Sequence, residues 1–149
     1  MVDDIQNDLK QAQLARDEIK VSTLRLLLSE IKNAQIALRQ SSGQAISDEQ
    51  IISVVQKEIK KRKEAAVGFR SGNREESALK EEAEAKVLET YLPTQISVEE
   101  LTKIVEETIT ELGASSVADM GKVIGAVMGK VKGKTDGGSV SAIVKQKFS

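Results

Sequence analysis

Four lysines and four glycines near the C-terminus carry the pattern with the most direct chemical meaning. Lys122, Lys130, Lys132 and Lys134 lie in the stretch GKVIGAVMGKVKGKTDGG, residues 121 to 138, with no acid between Gly121 and Thr135. Lysine ammonium groups and main-chain N–H groups are what phosphate contacts use. Gly121, Gly125, Gly129 and Gly133 recur every four residues, and each glycine in a helix costs roughly 0.5–1 kcal/mol relative to alanine. Two explanations fit that cost, and both can hold at once. The glycines either let a neighbouring helix pack closely, or they let backbone amides and lysines approach a phosphate chain. A membrane dimer face is excluded, because the run is too short and too charged. The candidate RNA-contacting residues are therefore Lys122, Gly125, Gly129, Lys130, Lys132 and Lys134.

A second basic run, KEIKKRK, places Lys57, Lys60 and Lys61 on one side of an expected helix. Such a run is ordinarily a solvated face, and the alternative is a secondary basic face that extends the footprint of the C-terminal lysines. With no histidine and no cysteine in 149 residues, the commonest general base, nucleophile and metal constellations are missing. The carboxylates fall in helix-periodic stretches such as REESALKEEAEAK, where a solvated face is the expectation rather than acid–base work. No catalytic residue, metal or cofactor is therefore expected. Tyr91, Phe69 and Phe148 are the only aromatic residues, and all fall at core or link positions, so no ring is spare for stacking unpaired bases.

The elements that position these residues are helical. Aromatics make up 2% of the chain and proline occurs once, a composition that favours helices over sheet. No run reaches the roughly 18 apolar residues of a membrane span, and the N-terminus carries acids where a signal peptide carries bases. Those features, with the absence of cysteine, set the expectation of a bacterial-type cytoplasmic protein without a membrane partner. The net charge of −1 conceals an asymmetry. Residues 1 to 72 hold 12 bases and 10 acids, residues 73 to 112 hold 4 and 11, and residues 113 to 149 hold 6 and 2. A basic C-terminal piece on an otherwise acidic chain points to an anionic partner.

Apolar spacing predicts a first helix over about Asp3 to Arg16 and a second over about Asp17 to Arg39. Ser47 with Gln50 forms a capping-box signature ahead of a third helix that Gly72 can end. A fourth helix spans about Arg74 to Thr90. Pro93 then biases Leu92 out of the helical region, which makes YLPTQIS the expected boundary. Ser97 with Glu100 caps a fifth helix that runs to Gly113, and Ser116 with Asp119 resembles a third cap before the glycine stretch. A last helix runs through Val140, Ile143, Val144 and Phe148. The expected architecture is all-α, with a four-helix N-terminal subdomain (1–92), a linker (93–97) and a three-helix C-terminal subdomain (98–149). In the sixth helix Met120, Val123, Ile124, Val127, Met128 and Val131 share one face. That face is expected to pack on Leu101, Ile104 and Val105 and on Val140, Ile143 and Val144, leaving the glycine side free.

Three segments, VSTLRLLLSEIKNAQI, ETYLPTQIS and GASSVADMGKVIGAVMGKVKGKTDG, resemble the small bacterial YqeY-like proteins of the GatB/YqeY family over nearly the whole chain. The resemblance implies a two-part helical fold and a relation to the C-terminal tail of the B subunit of tRNA-dependent amidotransferase. In that family the tail is the part associated with tRNA, while ATP-dependent activation and glutamine hydrolysis belong to other parts that have no counterpart here. Relatives often place proline where this chain has Gly129, which sets the expectation of a bend or break there.

The leading expectation is a non-catalytic module that binds tRNA by shape and backbone charge, beside the amidotransferase or an aminoacyl-tRNA synthetase. The alternative is a protein-interaction adaptor that uses its acidic segment and apolar helix faces without RNA. A glutamine-dependent carbon–nitrogen ligase, the activity of the resembled enzyme, lacks both a GxxxxGK[ST] phosphate loop and a nucleophile constellation here.

Overall fold

The computed structural model describes residues 1–149 and contains seven α-helices and no strand. They are α1 (Val2–Ala15), α2 (Glu18–Ser42), α3 (Asp48–Ser71), α4 (Glu75–Glu89), α5 (Val98–Leu112), α6 (Met120–Val131) and α7 (Gly137–Lys147). No helix is long and apolar enough to cross a membrane. The chain divides into two compact units, Met1–Leu92 and Pro93–Ser149.

In the first unit, local side-chain caps set the starts of α2 and α3. Asp17 caps α2 by accepting from the Lys20 amide at 3.1 Å. Ser47 and Gln50 form the reciprocal capping box at the start of α3: the Gln50 amide donates to Ser47 Oγ at 3.2 Å, and the Ser47 amide donates to Gln50 Oε1 at 2.8 Å. Helix α2 runs past the expected end at Arg39 to Ser42. The Ser41 and Ser42 hydroxyls donate to the Leu38 carbonyl at 3.2 and 3.0 Å, and Gly43 takes the left-handed position (φ 72°) that ends the helix. The core gathers Ile5, Leu24, Leu27, Ile31, Ile51, Val55, Ile59, Ala85 and Leu88. Leu26 and Leu79 are exposed, each lying off its helix's buried stripe.

The second unit is a three-helix cluster around Leu101, Val105, Val123, Val127, Val131, Val140 and Val144. Ser97 caps α5 by accepting from the Glu100 amide at 3.2 Å. The expected cap at Ser116 does not form. Asp119 instead accepts from the Ser115 amide at 3.2 Å, a single 3-10 turn fills Val117–Asp119, and α6 begins at Met120. Segment 93–97, expected as a linker, is tied into this unit: the Ile96 amide donates to the Lys134 carbonyl at 3.0 Å, and Gln95 Nε2 donates to the Gly133 carbonyl at 3.1 Å.

Candidate nucleic-acid interface

Helix α6 holds the candidate residues because Val123, Val127 and Val131, at four-residue spacing, are fully buried, with Met120, Ile124 and Met128 half-buried beside them. Leu101 and Val105 of α5 and Val140 and Val144 of α7 complete the core, with Ile104 and Ile143 at its margin. α6 is one uninterrupted α-helix through Gly129, so the bend that proline imposes has no counterpart here. Its last turn is closed by the Lys132 amide donating to the Met128 carbonyl at 3.1 Å.

The glycines on this helix face outward. A Cβ added at Gly121, Gly125 or Gly129 would meet nothing within 4 Å. Close packing within this unit therefore does not explain them, and that expectation fails. Gly133 is a different case. It lies beyond the helix at φ 83°, in the turn between α6 and α7, where the left-handed conformation itself calls for glycine. The four-glycine repeat is thus three helical glycines on open backbone and one turn residue.

The lysines divide in the same way. At about 100° per residue, Lys122 lies about 60° around the helix from Gly125 and borders the glycine face, whereas Lys130 lies about 140° away. Lys130 is drawn to α5, where its Nζ donates to Thr108 Oγ1 at 2.9 Å and Glu111 Oε2 at 2.7 Å. The expectation that Lys130 shares the glycine face is corrected by that contact. Lys132 and Lys134 are exposed in the turn after α6, close to the helix end whose carbonyl dipoles favour cations. The turn is held on both sides, by the Lys134 amide donating to the Val131 carbonyl at 2.8 Å and by Asp136 Oδ1 accepting from the Ser139 amide at 2.6 Å. Lys147 likewise pairs with Glu106 of α5. Residues 93 to 149 hold seven lysines and seven acids, so the acids of α5 offset the basic tail and leave a local patch rather than a basic domain.

The second basic run lies on α3 in the first unit. Lys57 and Lys60 are exposed, while Lys61 pairs with Glu58 at 3.2 Å and Lys63 with Glu89 at 3.2 Å. Between them Arg62 is buried, which its sequence context concealed. Its Nη1 donates to the Glu58 carbonyl at 3.1 Å and to Glu58 Oε2 at 2.8 Å, and its Nε lies 3.5 Å from Glu84 Oε2 without forming a hydrogen bond. Burial works against the charge on Glu58, but the hydrogen bonds and charges of Arg62 and Lys61 outweigh it and hold the carboxyl below the ordinary range. Burial and the neighbouring Glu81 push Glu84 the other way. Sequence reading also missed a groove of about 580 Å³ between α1 and α2, with Arg25 and Lys32 among its lining residues. Their seven-residue spacing around Leu28 was the signal available for it.

A family model described as "Yqey-like protein" matches residues 2–148. Curated relatives include "Altered inheritance of mitochondria protein 41, mitochondrial" from Vanderwaltozyma polyspora, 38% identical over 88 residues, which are 59% of this chain and 46% of that protein. The protein of the same name from Saccharomyces cerevisiae is 32% identical over 88 residues, with the same coverage. That from Lachancea thermotolerans is 32% identical over 91 residues, 61% of this chain and 47% of its own length. The match thus spans about half the length of these relatives. Their names place them in mitochondria of eukaryotes, unlike the bacterial cytoplasmic setting expected from composition.

Proposed function

The chain belongs to the family of Yqey-like proteins, and on that premise we propose that its second unit is a non-catalytic module that holds tRNA by its phosphate backbone at the open face of α6. The observation that carries this reading is the bare strip at Gly121, Gly125 and Gly129, open to 4 Å and flanked by Lys122. Three helical glycines cost about 1.5–3 kcal/mol relative to alanine, and no contact inside the unit repays it. A phosphate chain laid along the strip can come closer to the helix than any side chain would allow, with Lys122 and Lys134 supplying charge. Lys130 serves as a brace between α6 and α5 rather than as a contact.

On this reading the module works beside an enzyme that acts on tRNA, an amidotransferase or an aminoacyl-tRNA synthetase, and transfers no amido group itself. Phosphate contacts position a duplex without reading its sequence, so different tRNAs bind alike. The test is fluorescence anisotropy of labelled bulk tRNA with the wild type and with Lys122→Glu/Lys134→Glu. Binding lost in the double variant supports the reading, and unchanged binding at low salt rejects it.

A second reading, a protein-interaction adaptor, is favoured by one observation, the apolar groove between α1 and α2.

A further inference from the structure

We propose that the groove between α1 and α2 docks a short acidic amphipathic helix of a partner protein. The inference concerns the first unit and is independent of RNA binding by the second. The groove has a volume of about 580 Å³, and its apolar lining comes from Val2, Leu9, Leu28, Ile31 and Ile46. One end is fixed by Gln35: its Oε1 accepts from the Ile46 amide at 2.8 Å and its Nε2 donates to the Gln44 carbonyl at 3.3 Å. The loop after α2 is thereby held against the groove, so the site is formed before any ligand arrives.

Charge decides the occupant. Arg25 and Lys32 line the groove from α2, and both are exposed. In the first unit Lys61 and Arg62 are met by Glu58, Lys63 by Glu89, and Arg70 by Glu75 and Glu82. Arg25 and Lys32 form no ion pair. Seven residues apart on one helix face, they stand about 10 Å from each other along the axis, with Leu28 between them. A helix lying along α2 presents carboxylates at the same seven-residue spacing and apolar residues between them, so it meets both cations and the apolar floor together. A single-headed amphiphile such as a fatty acid meets only one cation, which makes it the poorer match.

The test uses the full chain and a fluorescein-labelled 16-residue peptide with leucines at helical a and d positions and glutamates seven apart on the flanks. A scrambled peptide of the same composition and a copy with lysine in place of glutamate serve as comparisons. The expected result is saturable binding of the acidic helix alone, weakened at least tenfold by Arg25→Glu/Lys32→Glu. The lysine peptide is expected to bind that double variant better than it binds the wild type. Both substituted positions are exposed, and circular dichroism checks that the variant remains folded. Leu28→Lys, which charges the apolar floor, weakens binding by a second route. Equal binding of the scrambled peptide, indifference to both variants, or saturable binding of a dansylated fatty acid without binding of the acidic helix overturns the proposal.

Discussion

Lys130 Nζ sits 2.7 Å from Glu111 Oε2 and 2.9 Å from Thr108 Oγ1, which makes this lysine a strut between α6 and α5. Four lysine contacts to duplex phosphate would give a log-affinity against log-salt slope of roughly −3 to −4, at about 0.9 per contact. With Lys130 engaged by α5, contacts from Lys122 and Lys134 give a slope of about −2. Lys130→Ala should therefore leave the slope of tRNA binding nearly unchanged. Its effect should appear as a small loss of stability, about 0.5 kcal/mol, as for partly exposed ion pairs. A slope that falls by about one unit would place Lys130 on the RNA.

Gly125 distinguishes backbone approach from packing. Because a Cβ there meets nothing within 4 Å, Gly125→Ala should raise thermal stability by about 0.5–1 kcal/mol. Gly125→Leu should also fold, yet bind tRNA far more weakly because its side chain holds the phosphates off the helix. A Leu variant that unfolds would show a packed neighbour at this position, and one that binds normally would remove the glycine face from the interface.

Arg62 and Glu58 form a buried pair whose loss should be felt across the first unit. Arg62→Ala leaves Glu58 and Glu84 without their shared cation, and removing one partner of a buried pair costs about 3–5 kcal/mol. Urea unfolding measures it. The pH dependence has a definite sign. The Glu58 carboxyl is held below its ordinary value of 4.5, so its contribution is present above that value and is lost as pH falls through the lowered one. Glu58→Gln should flatten the acid side of the stability curve below about pH 4.5. An unchanged acid limb would mean that other carboxylates govern it.

Tyr91 donates from its hydroxyl to Asp8 Oδ2 at 2.6 Å, joining the segment after α4 to α1. Burial, and then the bond to Asp8, raise the phenol above its ordinary value of 10. Its contribution is therefore complete below pH 10 and is lost at higher pH. Tyr91→Phe removes a hydrogen bond to a charged group and should cost about 1.5–3 kcal/mol at neutral pH, measured by thermal unfolding. A cost near zero would mean that the bond contributes nothing beyond what water supplies.

Local signals were legible in the sequence, and neighbours were not. Ser47 and Gln50 announced their capping box because both partners lie within four residues, and Val123, Val127 and Val131 announced the buried stripe of α6 by periodicity alone. The contact of Lys130 with Glu111 joins two helices, and a wheel drawn for α6 gives the direction of a side chain without saying what stands there. Arg62 has the same neighbours in sequence as a solvated lysine; only the packing of α4 on α3 buries it. The groove is lined from both α1 and α2, Leu9 and Leu28 among its residues, which no single helix reveals. The openness of the glycine face likewise depended on where α5 and α7 pack, and they pack on the opposite side.

The decisive measurement for the α6 face is a titration of labelled bulk tRNA, with a duplex DNA comparison, across a salt series. Backbone holding at the open face of α6 predicts binding of tRNA in preference to DNA with a slope of about −2, abolished by Lys122→Glu/Lys134→Glu in a chain that still folds. No tRNA binding at low salt, or binding that ignores both substitutions, would contradict it.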